Sequence, residues 1–222
     1  MQNLIKQERF ELEVLDKFKT AKLLDKIIFT GGSMLRLCYG LNRYSVDLDF
    51  WILKNVDQNK LYEELSICLS KYYTLKDAAN KFYTLLFELK SKDYPRSLKV
   101  EIRKERKEVQ IERSIAYSIY SNNQVFINSV SLPDMMKAKI CAFLDRKEIR
   151  DVFDIEFLLR KGVALDASQK ELDDILKNIN SLTKNDYNVK LASLLEKEER
   201  EYYKKEGFKF VKSKLIEKLA KE

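Results

Sequence analysis

Histidine is missing from all 222 residues, and that absence removes whole classes of chemistry. Ser-His-Asp and Cys-His catalysis, histidine-ligated zinc and histidine-dependent RNA cleavage all need an imidazole. Proton transfer must fall to carboxylates, lysine, tyrosine or bound water. Proline and glycine are scarce, at two and five residues, which argues against long linkers and against all-β folds dense in tight turns. The three cysteines, Cys38, Cys68 and Cys141, lie far apart in apolar contexts. They read as buried reduced thiols, and neither as a disulfide framework nor as a zinc knuckle. No apolar run approaches the about 20 residues that a membrane span requires. Residues 1–13 carry Lys6, Glu8, Arg9, Glu11 and Glu13 where a signal peptide would be apolar. The expectation is a cytoplasmic protein with no membrane partner.

What is present is a globular balance, 45% hydrophobic and 35% charged, with a net charge of +7. The length allows one large domain or two modest ones. The positive charge favours nucleic acid, nucleotides or acidic surfaces as partners, or else reflects solvated lysine faces.

Periodicity divides the chain. Phe10, Val14, Leu15, Phe18 and Ala21 form a helical stripe. Residues 27–30 read as a buried strand that stops at Gly31-Gly32, and residues 33–39 as a short helix ended by Gly40. A strand is predicted over 46–53, then a helix with Asp57 as its N-cap and Leu61, Leu65, Cys68 and Leu69 on one face. Further strands are predicted over 82–89, 98–103 and 125–132, and the mixed-charge run 104–113 reads as an exposed turn. From Pro133 the strand signals stop and helices follow, one through Met136, Ile140, Phe143 and Leu144, another over 152–159 ending at Gly162. The aromatics are placed mainly in the core, with base stacking as the alternative. The expectation is an α+β N-terminal domain over residues 1–132, built on a mixed sheet, and an all-α helical bundle domain over 133–222.

The chemistry concentrates in two motifs. Gly31 and Gly32 let the backbone approach an anion, the helix after them offers free N–H groups, and Ser33 adds a hydroxyl. Asp47-Leu48-Asp49-Phe50 on a strand points both carboxylates one way, with Leu48 and Phe50 facing the core. Such a pair suits Mg²⁺ or Mn²⁺, which prefer oxygen ligands. Glu101 lies on the polar face of its strand between Lys99 and Arg103. If that strand pairs beside the one carrying Asp47 and Asp49, three carboxylates converge, with Glu101 as third ligand or as base. Two divalent ions in such a site suit in-line attack on phosphorus.

Gly-Gly-Ser followed by acid-hydrophobic-acid-hydrophobic resembles the signature of the DNA polymerase β-like nucleotidyltransferase superfamily. More closely, Phe29-Thr30-Gly31-Gly32-Ser33 with Arg43-x-Ser45-x-Asp47-Leu48-Asp49-Phe50 resembles the AbiEii/AbiGii toxin family of nucleotidyltransferases. The run Lys139 to Arg146 followed by Arg150-Asp151-Val152-Phe153-Asp154 resembles it as well. The resemblance spans about residues 25–162 and implies transfer of a nucleotide from a nucleoside triphosphate with Mg²⁺. It implies roles for Lys139 and Asp151 in completing the site and for Arg43 in binding nucleotide. It also implies a toxin of a toxin–antitoxin or phage-defence system, with a tRNA 3′ end as acceptor in some members and a cognate antitoxin as partner. The active site is expected in the cleft between the two domains. On a continuous helix, Lys139, Arg146 and Arg150 would form one cationic stripe, either functional or solvated beside Asp145, Glu148 and Asp151. Asp151 and Asp154 would equally serve to hold helices together, and Arg36 is a further suggestion for nucleotide. The alternatives are a catalytically silent binding protein of the same fold, and a nucleotidyltransferase that modifies a protein or a small molecule.

Overall fold

The computed structural model describes residues 2–220, and the chain divides into two compact units, Met1–Ser131 and Leu132–Glu222. The first unit is built on a mixed seven-stranded sheet. Its strands are β1 (Ile27–Thr30), β2 (Asp47–Ile52), β3 (Thr74–Asn80), β4 (Thr84–Lys90), β5 (Leu98–Arg103), β6 (Ile111–Ala116) and β7 (Val125–Val130). They lie in the order β3-β4-β5-β2-β1-β7-β6. β2 runs parallel to β5, and β1 to β7, while the other neighbours are antiparallel.

Alternation places β2 and β5 at the centre. Leu48 and Phe50 on β2, and Val100 and Ile102 on β5, are fully buried. Helix α1 (Gln2–Thr20) contributes Phe18, whose ring lies 6.2 Å from that of Phe50, which in turn stacks on Phe29 at 5.2 Å. Farther along α1, Phe10 stacks on Tyr94 at 4.5 Å and meets Tyr73 edge-on. Both tyrosine hydroxyls donate to the Glu13 carboxylate, at 2.8 and 2.7 Å. Helix α2 (Gly31–Tyr39) ends at Gly40, whose left-handed backbone lets its N–H reach the Arg36 carbonyl. Helix α3 (Gln58–Ser70) starts at Asp57, which accepts from the N–H groups of Asn59 and Lys60.

In the second unit the described elements are helices: α4 (Leu132–Arg146), α5 (Ile149–Arg160), α6 (Gln169–Asn180), α7 (Lys197–Glu206) and α8 (Lys209–Leu219), with short helical turns at Asp186–Leu191 and Ala192–Leu194. α6 carries a capping box between Ser168 and Glu171 and buries Leu172, Ile175 and Ile179. No described helix is long and apolar enough to cross a membrane.

Several expectations need correction. The run 104–113 is a turn only in its first part, because β6 starts at Ile111 and pairs with β7. β3, read as no element, pairs with β4 along its length. Lys139, Arg146 and Arg150 do not lie on one continuous helix: Lys139 and Arg146 belong to α4, the chain takes a left-handed turn at Lys147 (φ 54°), and Arg150 lies in the first turn of the next helix. Of the three thiols only Cys68 is buried; Cys38 is half-buried and Cys141, on the outer side of α4, is exposed.

Candidate active site

The pairing of β1, β2 and β5 sets Thr30 opposite Asp49 and Asp49 opposite Glu101. Two residues along, Asp47 stands opposite Lys99. Paired residues of adjacent strands share a face, so Asp47, Asp49, Lys99 and Glu101 form one polar surface on the side of the sheet opposite Leu48 and Phe50. Asp47, Asp49 and Glu101 are half-buried, within reach of solvent. The structure therefore brings the three predicted carboxylates onto two neighbouring strands in register. Among the described residues, no group of three Asp, Glu or Cys side chains is placed so that together they could hold a metal ion. The Glu101 carboxylate is held by the Lys99 ammonium. The donor set itself, carboxylate oxygens on one partly solvated face, suits Mg²⁺ or Mn²⁺.

The glycine turn fits against these strands for reasons the structure makes specific. Gly31 adopts a left-handed conformation (φ 78°), and a Cβ built there would stand 2.5 Å from Asp49 Oδ2. At Gly32 a Cβ would stand 2.6 Å from Arg43 Nη2 and 3.0 Å from Ser45 Oγ. Each glycine thus makes room for a named side chain of the second motif, the first for a candidate metal ligand and the second for a buried cation. Ser33 is fully buried, and its hydroxyl donates to the Asp47 carbonyl, tying the start of α2 to the start of β2. Arg43 is also buried and donates from Nη1 to the Tyr44 carbonyl at 3.1 Å. Arg36 is committed elsewhere in the core: it pairs with Glu8, donates to the Leu41 carbonyl at 3.0 Å and lies 3.8 Å from the centre of the Tyr44 ring.

Two residues of α1 that sequence reasoning passed over support the same strands. The Gln7 amide donates to the carbonyls of Val46 and Ser97, both at 3.2 Å, and so clips together the entrances of β2 and β5. Glu11 is buried, and its carboxyl is held well above the usual range by that burial and then by Glu8, with Asp47 and Asp49 adding to the effect and Arg36 opposing it. The signal for both was available: polar residues at positions where the apolar stripe of α1 turns inward.

In the second unit, Lys139, Asp151 and Asp154 form a buried cluster. Lys139 Nζ lies 2.7 Å from Asp154 Oδ2 and 3.5 Å from Asp151 Oδ1. Arg146 grips Asp151 with two bonds of 2.6 Å, from Nε and Nη2. Both carboxylates are fully buried, so two cations from α4 neutralise two anions from α5.

The family model for the nucleotidyl transferase AbiEii toxin, of type IV toxin–antitoxin systems, matches residues 13–221. Two solved structures are similar over nearly the full chain. One is a candidate nucleotidyltransferase from H. pylori, with a TM-score of 0.61 and 23% identity, covering 96% of each chain. The other is JHP933 from Helicobacter pylori, with a TM-score of 0.55 and 23% identity, covering 96% of this chain and 94% of that one. At that identity the likeness speaks for the fold. Among curated proteins none matches the chain by sequence.

Proposed function

The chain belongs to the AbiEii family of nucleotidyl transferase toxins, and from that premise we propose that it transfers a nucleotide from a nucleoside triphosphate to an acceptor hydroxyl, with a tRNA 3′ end as the acceptor. In the reaction the hydroxyl oxygen attacks the α-phosphorus, the bond to the β,γ-phosphates breaks and pyrophosphate leaves. The observation that carries the reading is the in-register placement of Asp49 and Glu101, with Asp47 on the same face, against a glycine turn that begins a helix.

Asp47, Asp49 and Glu101 are the residues that would hold Mg²⁺ or Mn²⁺. Such an ion, when bound, supplies charge that activates the attacking hydroxyl and steadies the leaving pyrophosphate. The main chain of Gly31, Gly32 and Ser33 at the start of α2 favours an anionic triphosphate through its N–H groups and the helix dipole. Arg43, buried beneath Gly32, shapes that turn and adds positive charge under it. Ser33 acts through its bond to the Asp47 carbonyl and fixes the strand that carries the ligands. Lys139 and Asp151 complete the assignment as supporting groups, Lys139 oriented by Asp154 and Asp151 anchored by Arg146. The partner in the cell is a cognate antitoxin, and the place of action is the cytoplasm.

Incubation with total RNA, Mg²⁺ and each labelled nucleoside triphosphate, followed by sequencing of the labelled species, identifies the nucleotide and the acceptor. Asp49→Ala is expected to abolish incorporation while leaving the melting curve intact, because Asp49 faces away from the core. Incorporation that survives this change refutes the assignment.

A further inference from the structure

The polar face of β2, β5 and β4 holds a cation of its own. In the parallel register of β2 and β5, Lys99 stands opposite Asp47 and two residues before Glu101. In the antiparallel register of β4 and β5, the same lysine stands opposite Glu88. Paired residues share a face, so Asp47, Glu88 and Glu101 surround Lys99, with Asp49 on the diagonal. Glu88 is already served by Lys76, at 2.8 Å. The Lys99 ammonium goes instead to the Glu101 carboxylate, with which it forms an ion pair.

We propose that Lys99 is the resident cation of the carboxylate site, and that a divalent metal ion binds only by displacing its ammonium group from Glu101. The proposal rests on the reading of Asp47, Asp49 and Glu101 as metal ligands and assigns a further residue to that site. Charge balance supports it. The pair gives the half-buried Glu101 carboxylate a counter-charge before any metal arrives. Displacement is easy in structural terms. The Lys99 side chain is 45% exposed, so its long stem can swing into water without disturbing the apolar face beneath. Lys99 thus holds Glu101 without metal and weakens metal affinity in proportion to its competition for that carboxylate. Lys99 is a positioning residue here: it acts on the ligands and touches no reacting atom.

The test is Mn²⁺ binding to the full chain, read by electron paramagnetic resonance of the free ion and by calorimetry, without nucleotide. K99Q removes the charge and K99R retains it. K99Q is expected to bind Mn²⁺ about tenfold more tightly than the unaltered chain, the effect of removing one unit charge about 6 Å from a divalent ion in water. K99R is expected to stay within about twofold, and the gain in K99Q should shrink as salt rises. D49N is expected to lose the binding. If D49N binds like the unaltered chain, the carboxylate site itself is wrong. If D49N loses binding but K99Q binds no more tightly, the site stands and the role of Lys99 falls. K99M serves as a second neutral variant, and failure of both neutral variants to fold would likewise overturn the proposal by making Lys99 a structural residue.

Discussion

Replacing Gly31 with alanine tests whether the glycine turn exists to place Asp49. Two separate costs act at this position. The backbone is left-handed, with φ 78°, and an L-residue there costs about 1–2 kcal/mol. A Cβ would also stand 2.5 Å from Asp49 Oδ2, so the carboxylate must retreat by about 0.9 Å to reach ordinary contact. Gly40 separates these costs. It has the same φ of 78°, yet nothing lies within 4 Å of its built Cβ. Gly40→Ala should lose stability by the backbone cost alone, which for a chain of this size is a fall in melting temperature of about 2–8 °C, and Gly31→Ala by at least as much. Their activities should diverge. Gly40→Ala is expected to keep nucleotidyl transfer near that of the unaltered chain. Gly31→Ala is expected to lose about 10²-fold, the usual consequence of moving a reacting group by about 1 Å. The assays are thermal melting and incorporation of labelled nucleotide into RNA. Equal activity in the two variants would show that the close contact with Asp49 has no bearing on function.

Lys139→Met removes one of the two cations from the buried cluster and leaves Asp154 without its 2.7 Å partner; thermal or urea unfolding should show a loss of about 3–5 kcal/mol. The double variant Lys139→Met, Asp154→Leu should recover much of that loss, and no recovery would show that the pair is not the cause. Glu11 gives a pH prediction with a definite sign. Its folded carboxyl lies above the ordinary 4.5, so its contribution to stability is complete below about pH 4.5 and is lost as pH rises through the raised value. Glu11→Gln should therefore melt higher than the unaltered chain at pH 8, with the gap closing as the pH falls towards 4.5. A variant that melts lower at pH 8 would contradict the burial of this charge.

The central strands were legible because they carry apolar residues at fixed period. β5 shows unbroken alternation, β2 alternates over Asp47–Phe50 and then runs apolar through Trp51 and Ile52, β1 is a short apolar run, and Asp57 and Gly40 mark helix ends by the chemistry of their caps. The two strands that escaped, β3 and β6, are the two edges of the sheet. Thr74–Asn80 is largely exposed, and only the last residue of Ile111–Ala116 is buried, so neither has an apolar face to announce it. Pairing with β4 and β7 makes them strands, which is a tertiary cause invisible in a local window. α6 was a different kind of omission, since Ser168 and Glu171 spell a capping box ahead of Leu172, Ile175 and Ile179. At the site, the acidic motif was readable, whereas the reason for each glycine was not. Only the folded chain shows that Gly31 yields to Asp49 and Gly32 to Arg43.

The register that joins Asp49 to Glu101 is held by the residues between them. Leu48, Phe50, Val100 and Ile102 are all fully buried, and a slip of one residue in either strand would turn its pair to the polar face while carrying carboxylates into the core. Burying such side chains contributes about 1.5–3 kcal/mol each, so the correct register is favoured by several kcal/mol per strand even before the cost of a buried carboxylate is added. Gln7 reinforces the choice from below, because its amide spans the carbonyls of Val46 and Ser97 only when the two strands start level. Asp47, Asp49 and Glu101 therefore need no strong attraction of their own to converge. Their mutual repulsion is small beside the apolar energy that fixes the strands, and Lys99 offsets part of it. A site of like charges can be assembled in this way before its counter-ion arrives.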